Sequence, residues 1–462
     1  MSDFADELIH LKNTGSWSGG GTPSKANPAY WEGGTIPWVS PKDMKTFEIV
    51  DSQDKITPEA IADSPVRLVP AGSILMVVRS GILAHTFPVA IANTDVTLNQ
   101  DMKAIIPREN IVPKFLAYQL ISQSNTILTN CTKTGTTVSS VETKLLQSLP
   151  VWIPEEAKQE AIVADLDKQL SCLDETTSTL QAIQAKLKQA RASILKAAVE
   201  GRLVETEAEL ARQSGFTIED AEALLARCLE AKKKSCEDKA AGRKITKRWK
   251  SPPAPTLPLA FPLPEGWVLV SMEQIADVSG GLAKDSKVSD GETLPYLRVA
   301  NVQRGRLDLA EVKSIICPSE RIESLLLQKG DVLLNEGGDR DKLGRGWVWN
   351  NQIERCIHQN HVFKARLACK DIQPKFISHY ANMEGGRYFQ QEGKQTTNLA
   401  SISLSKVRSL PIALPPAAEQ VRILAEVDRR FSVLDQVEAT VNASLKRCGQ
   451  LRQAVLKRAF GE

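Results

Sequence analysis

Leu149-Pro-Val-Trp-Ile-Pro154 and Leu410-Pro-Ile-Ala-Leu-Pro415 each open a long helical pattern, running on to Ala198 and Ala459 respectively. Setting Leu149 against Leu410 fixes an offset of 261 residues that holds without a gap through both stretches. Pro154 then meets Pro415, Gln159 meets Gln420, Asp167 meets Asp428, Leu173-Asp174 meets Leu434-Asp435, and Arg191 meets Arg452. A period this long is far beyond the roughly 20 to 50 residues of solenoid repeats. The chain is therefore two similar halves, each a domain followed by a helix.

Within the helical stretches Leu166, Leu173, Leu180, Leu187 and Ile194 recur at heptad spacing, and in the same phase of the second copy stand Val427, Leu434, Val441, Cys448 and Val455. Apolar residues at that spacing form a coiled-coil seam. Two seams of equal length in one polypeptide are expected to pack on each other. At 1.5 Å per residue such a helix reaches ~65 Å, past a small domain's diameter, and works as a spacer.

Upstream of the first helix the pattern is short strands at Ile36–Val39, Val66–Val69, Ile74–Val78, Val89–Ala92 and Met102–Ile106, separated by turn residues such as Pro70-Ala-Gly72. Phe4, Leu8 and Leu11 suggest a short helix at the start, and Pro113–Ser122 reads as a helix behind a proline. The second half repeats this grammar. Ile36-Pro-Trp-Val39 meets Leu294-Pro-Tyr-Leu297 and Gly20-Gly21 meets Gly280-Gly281, while the polar residues between framework positions differ: Ser40, Lys42 and Arg79 against Arg298, Asn301 and Asn335. The expected fold class is α+β, two similar α/β domains duplicated with pseudo-two-fold symmetry. The boundaries are 1–152 for the first domain, 153–204 for the central helix, 205–264 for an insert, 265–413 for the second domain and 414–462 for the last helix.

The insert carries a helix start at Thr217-Ile-Glu-Asp220, then nine Lys or Arg between Lys232 and Lys250 against Glu237 and Asp238, then six prolines from Pro252 to Pro264. It reads as a solvated, extended connector, with a phosphate-touching arm as the sharper alternative.

Bulk properties narrow the class. With 462 residues, 42% hydrophobic and 24% charged, the chain has room for about two to four globular domains. Its apolar runs, such as Ser73–Val78, are strand-sized, so no membrane span is expected. The acidic start lacks a signal peptide's basic and apolar regions, which predicts a cytoplasmic protein. Cys131, Cys172, Cys228, Cys236, Cys317, Cys356, Cys369 and Cys448 include no Cys-x-x-Cys and read as free thiols. A net charge of +3 neither demands nor excludes nucleic acid.

No constellation for catalysis stands out. Gly19-Gly-Gly-Thr-Pro-Ser-Lys25 has a phosphate loop's ingredients without its spacing. Asn27-Pro28-Ala29-Tyr30 lacks the second proline of the amino-methyltransferase motif, and no cofactor-binding glycine turn precedes it. Glu142-Thr-Lys144 and Glu392-Gly-Lys394 match a nuclease tripeptide that arises readily by chance, and His358 with His361 lack a third ligand, so no metal site is expected. What remains is binding. Lys25, Ser40, Lys42, Arg79, Asn99, Gln100 and Lys133 in the first domain fall on or beside predicted loops, as do Arg298, Asn301, Arg304, Arg306, Arg340, Lys342, Arg345, Gln359 and Asn360 in the second. Arg and Lys contact phosphates, Arg pairs bidentately with guanine, and Asn or Gln pairs with adenine. Two different readers on a spacer of fixed length would recognise a bipartite, asymmetric duplex target.

The chain resembles the specificity subunit of type I restriction-modification systems over nearly its whole length. The resemblance rests on three features of the sequence. One is the doubled Leu-Pro-x-x-x-Pro with Gln159 and Gln420, and another is the opening Gly21-Thr-Pro with Tyr30–Trp38, echoed by Pro295–Asn301. The third is the helix ending Ile194-Leu-Lys-Ala-Ala-Val-Glu-Gly201, echoed by Val455–Gly461. It implies that each globular part is a target recognition domain and that the two helices pack antiparallel. The subunit itself would be non-catalytic and hold no cofactor. It would join double-stranded DNA to two modification subunits, which use S-adenosylmethionine to methylate adenine N6. Restriction subunits would then bring ATP and magnesium for motor and nuclease work. The resemblance also places the threonine-rich loops with Thr136 and Thr396 near DNA. The alternatives are a coiled-coil adaptor that never touches DNA, or a specificity-like subunit of another methyltransferase-based phage-defence system.

Overall fold

The computed structural model describes residues 8–133, 138–215, 219–242, 249–284, 290–338, 342–392, 394–395 and 400–461. The chain forms two units, one of Met1–Ile183 with Thr440–Glu462 and the other of Gln184–Ala439.

In the first unit five strands make the main sheet: β1 (Gly15–Gly19), β2 (Glu48–Ile49), β3 (Ile74–Val77), β4 (Val89–Ala92) and β5 (Met102–Pro107). Their order is β1-β5-β3-β4-β2, antiparallel except for β4 with β2. β3 is buried at every position, as its unbroken run Ile-Leu-Met-Val requires. Helix α1 (Pro113–Ser122) covers the sheet with Phe115, Leu116 and Leu120, all fully buried. A smaller sheet places Ile36–Val39 between Asp54–Ile56, antiparallel, and Thr97–Leu98, parallel. Leu8–His10 is a strand paired with Pro150–Trp152, which corrects the helix expected there. Its alternation puts Ile9 on the core and leaves Leu8 in solvent, and the edge offered by Pro150–Trp152 supplies partners a lone helical turn would lack. Val69 makes only an isolated bridge with Val96, so the strand expected at Val66–Val69 is absent.

The second unit repeats the plan. Four antiparallel strands, β6 (Ala276–Ser279), β7 (Val332–Asn335), β8 (Gly346–Val348) and β9 (Val362–Leu367), lie in the order β6-β9-β7-β8. The smaller sheet places Glu292–Leu297 between Lys313–Cys317, antiparallel, and Ile357–His358, parallel. Val268–Ser271 pairs with Pro411–Leu414 as Leu8–His10 pairs with Pro150–Trp152.

Helix α5 (Pro374–Glu392) begins where the offset of 261 carries the start of α1, and both long helices form: α2 (Glu156–Val199) and α6 (Ala417–Ala459). In the first unit the start of α2 lies along the end of α6, with Val163, Leu166 and Leu170 in one core with Leu456 and Phe460. In the second unit the end of α2 lies along the start of α6, with Ala198 and Val199 in one core with Ile423 and Val427. The helices are therefore antiparallel in each unit. Of the seam residues, Leu166, Leu187, Val427, Val441 and Cys448 are buried, while Leu173, Leu180, Ile194, Leu434 and Val455 are half-buried.

The repeat is written in hydrogen bonds too. Gln159 accepts from Val112 N at 2.9 Å and donates to Pro154 O at 2.7 Å, and Gln420 accepts from Gln373 N at 2.8 Å and donates to Pro415 O at 2.9 Å. Each glutamine, fully buried, ties the start of its helix to its own domain. Lys114 pairs with Asp167 as Lys375 pairs with Asp428, and Arg452 pairs with Asp174 as Arg191 pairs with Asp435. Every one of these pairs is carried into its counterpart by the same offset of 261. Positions conserved between the copies are thus those that fasten helix to domain and helix to helix.

The insert is a solvated connector only in part: the stretch from Pro252 to Pro264 is largely exposed without helix or strand, Thr217 and the cations Arg243, Lys244, Lys247 and Arg248 lie outside the described residues, and the segment before them is packed. Helix α3 (Glu207–Ser214) starts with a capping box, Thr206 with Glu209, and α4 (Ala221–Gly242) buries Ala221, Leu224 and Cys228 completely. Lys232 reaches Ala276 O at 2.7 Å and Asp277 at 2.6 Å, and Glu207 N donates to the buried Glu419, which also accepts from Trp267. The local charge count hid this packing because the apolar residues of α4 sit on one face. Burial of Glu419 raises its pKa, against the hydrogen bonds from Glu207 N and Trp267.

Candidate nucleic-acid interface

The two ends of each main sheet have different uses. In the first unit the Gly15–Pro107 end leads through Asn110 and Val112 to Gln159, so it is tied to the long helix. At the other end the register sets Gly19 opposite Lys103 and Val77 opposite Met102, bringing the ends of β1 and β3 beside the start of β5. Gly20 passes so close to Asn99 that a Cβ would overlap the Asn99 carbonyl, and Gly281 meets His358 in the same way. Those overlaps explain why glycine recurs at the offset of 261.

Around that end collect the exposed Arg79, the half-exposed Lys103 and, on a hairpin of Thr132–Lys133 with Ser140–Val141, the exposed Lys133. Arg79 bridges Ser140 directly, and Lys133 is paired with Glu142. Thr22 donates to Gln100, drawing the loop with the exposed Lys25 to the same end. Lys42 is held by Asp54 at 2.8 Å. Ser40 and Asn99 lie beneath this rim, 5% and 7% exposed, and serve the framework. Ser40 gives both its N–H and its hydroxyl to Asp43, and Asn99 accepts from Asp101 N at 3.0 Å. The sequence reading passes over Lys103, because alternation within Met102–Ile106 assigns it only to an outer face. Register alone puts it on the rim.

The corresponding end of the second unit gathers most of the residues singled out there. Arg298 and Asn301 close a turn, with Arg298 N donating to Asn301 Oδ1 at 2.9 Å. Asn301 is 3% exposed and its amide donates to Asp308 O and Glu311 O, so it holds the loop and does not face outward. Past it a hairpin of Val302–Gln303 with Arg306–Leu307 exposes Arg304 and Arg306, and its tip is docked by Gly305 N on Gly346 O at 3.2 Å. Lys342 and Arg345 are half-exposed on the turn before β8, and Arg345 reaches Val299 O at 3.4 Å. Asn360 is half-exposed beside His361, whose ring pairs with Glu336 at 2.6 Å. Lys284, which the sequence reading also passes over, is exposed where the chain leaves β6. Thr136, Arg340 and Thr396 lie outside the described residues.

Some basic groups of this unit face inward. His358 is fully buried, its Nδ1 on Val362 O at 2.7 Å, and burial pushes its pKa down to about 4. Lys364, on β9, caps the end of Ser319–Leu325 through Ser324 O at 2.9 Å, and burial, then Arg366, pushes its pKa down to about 8. Among the described residues no group of three or more His, Cys, Asp or Glu is placed to hold a metal, and no helix is long and apolar enough to cross a membrane. Each unit thus presents cations and amides at the sheet end remote from the helix attachment, a surface suited to phosphates and base edges.

The family model of the type I restriction modification DNA specificity domain matches residues 7–189 and again 264–447. The EcoR124I/EcoR124II specificity subunit of Escherichia coli is 43% identical over 175 residues, 36% of this chain and 43% of that protein. The StySPI specificity subunit of Salmonella potsdam is 23% identical over 362 residues, 77% of this chain and 66% of that one. This chain thus spans less than two thirds of the length of either relative. A chain from a solved structure described as the structural basis of complex assembly and conformational transition of the type I R-M system has the same fold, with a TM-score of 0.66. It is 16% identical, over 98% of this chain and 97% of that one. With matched domains over both halves of its length, the chain belongs to the family of type I restriction modification DNA specificity domains.

Proposed function

We propose that this chain is the DNA sequence-recognition subunit of a type I restriction-modification complex. Each unit reads one half of a bipartite, asymmetric duplex target, and the paired helices set the spacing between the halves. The observation that carries the reading is the shared rim: one scaffold, duplicated, presents Lys25, Arg79, Lys103 and Lys133 in one copy and Arg298, Arg304, Arg306, Lys342, Arg345 and Asn360 in the other. Similar frameworks with unlike polar rims suit two different sequences.

The chain is non-catalytic in this reading and holds no cofactor. Two modification subunits dock on the helices and supply S-adenosylmethionine-dependent adenine-N6 methylation, and restriction subunits supply the ATP- and magnesium-dependent steps. The setting is the cytoplasm. The test is to assemble the chain with its modification subunits, map the methylated adenines, and repeat with Met1–Trp152 exchanged for the first domain of another family member. One half of the motif changes and the other stays. A change in both halves refutes independent readers, and methyl transfer by the purified chain alone refutes the non-catalytic assignment.

A further inference from the structure

Asn335 ends β7 and is completely buried, so it does not reach DNA itself. Its amide nitrogen donates to Val302 O at 2.8 Å and to Val299 O at 3.2 Å. Its backbone N–H donates to Arg345 O at 3.0 Å, and its backbone carbonyl accepts from Gly344 N at 3.1 Å. One residue of the sheet therefore fastens both cation-bearing segments of the second rim, the hairpin with Arg304 and Arg306 and the turn with Arg345.

The first copy has no such device. The residue matching Asn335 is Val77, whose side chain is packed in the core. There the segment matching the hairpin is stitched into the main sheet, because β2 pairs with β4 and Phe47 O accepts from Ile91 N at 2.8 Å. In the second copy the hairpin of residues 302–307 is not a strand of the main sheet, and its tip is joined to β8 by Gly305 N on Gly346 O at 3.2 Å. A buried amide that donates twice replaces strand pairing, and a valine there would leave two carbonyls without their donor.

We infer that Asn335 is a positioning residue for the second reader, setting the geometry with which Arg304, Arg306 and Arg345 meet their half-site. The inference rests on the proposed DNA reading. Bidentate recognition of a base tolerates little displacement and discriminates by roughly tenfold or more per base. Phosphate contacts depend on charge and tolerate displacement better. Loosening the loops therefore lowers discrimination in one half of the target and leaves non-specific affinity in place.

The test uses the full chain with its modification subunits, as wild type, Asn335→Val and Asn335→Ser. Duplexes are selected from a randomised library, and binding to random-sequence DNA and thermal midpoints are measured in parallel. The expected result for Asn335→Val is a roughly tenfold loss of discrimination in one half-site, with the other half-site and the random-DNA affinity unchanged. Asn335→Ser, which keeps one donor, falls between. Unchanged selection by a folded Asn335→Val refutes the inference alone. Equal loss in both half-sites, or loss that only follows the thermal midpoint across both variants, also refutes it by making the role structural. If the wild-type complex selects no bipartite sequence, the DNA reading fails and takes this inference with it.

Discussion

Replacing Gln159 by leucine, a side chain of similar size without polar atoms, tests whether the two units are fastened to their helices independently. Gln159 is fully buried and satisfies Val112 N, Asn110 O and Pro154 O. A buried polar group stripped of its partner costs about 1 to 3 kcal/mol. Some of the freed backbone groups recover water at the domain surface, so the loss for Gln159→Leu is roughly 3 to 5 kcal/mol. Gln420 satisfies only Gln373 N and Pro415 O, which puts Gln420→Leu at about 2 to 4 kcal/mol. For units of this size each kcal/mol moves a thermal midpoint by roughly 2 to 4 °C. Hydrogen exchange followed by mass spectrometry gives the location. Gln159→Leu accelerates exchange in peptides across residues 100–122 and spares 361–382, and Gln420→Leu does the reverse. Acceleration in both regions from either variant, or a loss below about 1 kcal/mol, would refute the argument.

Other expectations follow from the same structure. His358 and His379 are both buried, and burial pushes both pKa values down to about 4 from an ordinary 6.5, so the unfolded chain binds more protons than the folded one between those values. Stability of the second unit is therefore full above about pH 6.5 and lost as pH falls toward 4, by up to roughly 3 kcal/mol per imidazole, read from urea midpoints against pH. Gly20→Ala and Gly281→Ala each destabilise their own unit by about 3 kcal/mol or more, because the added carbon has nowhere to go; calorimetry checks it. A double-mutant cycle on Arg191 and Asp435 gives a coupling under about 1 kcal/mol, since Asp435 is largely exposed. Arg304→Ala with Arg306→Ala flattens the salt dependence of DNA binding by roughly two units of slope if both touch phosphate, measured by titration at several ionic strengths.

Much of the architecture was legible because duplication lets a sequence be compared with itself. The offset of 261 marks Gln159 and Gln420 without saying why they recur, and the reason is a buried amide between helix and domain. Heptads mark both helices. The insert was legible only in its exposed proline stretch: cations in a short run look like a solvated segment, whereas Lys232 is buried on Ala276 O and Asp277. The rims were half legible. Arginine and asparagine near predicted turns drew attention to residues that the fold gathers at one end of the sheet, but residue type does not distinguish the exposed Arg304 from the buried Asn301 three residues earlier. That distinction depends on which carbonyls need a donor, and only the folded loop decides it.

The way the units share the chain also bears on the order in which they are made. The second unit is one contiguous run, Gln184–Ala439, complete before the ribosome reaches Thr440. The first unit begins at the other extreme of the chain yet needs Thr440–Glu462, whose Leu456 and Phe460 fill its core. A nascent chain can therefore finish its second unit while the first still waits, holding an apolar face open, for the stretch that follows Ala439. Termination before Leu456 strips that core of its plug and strands the half that was synthesised first.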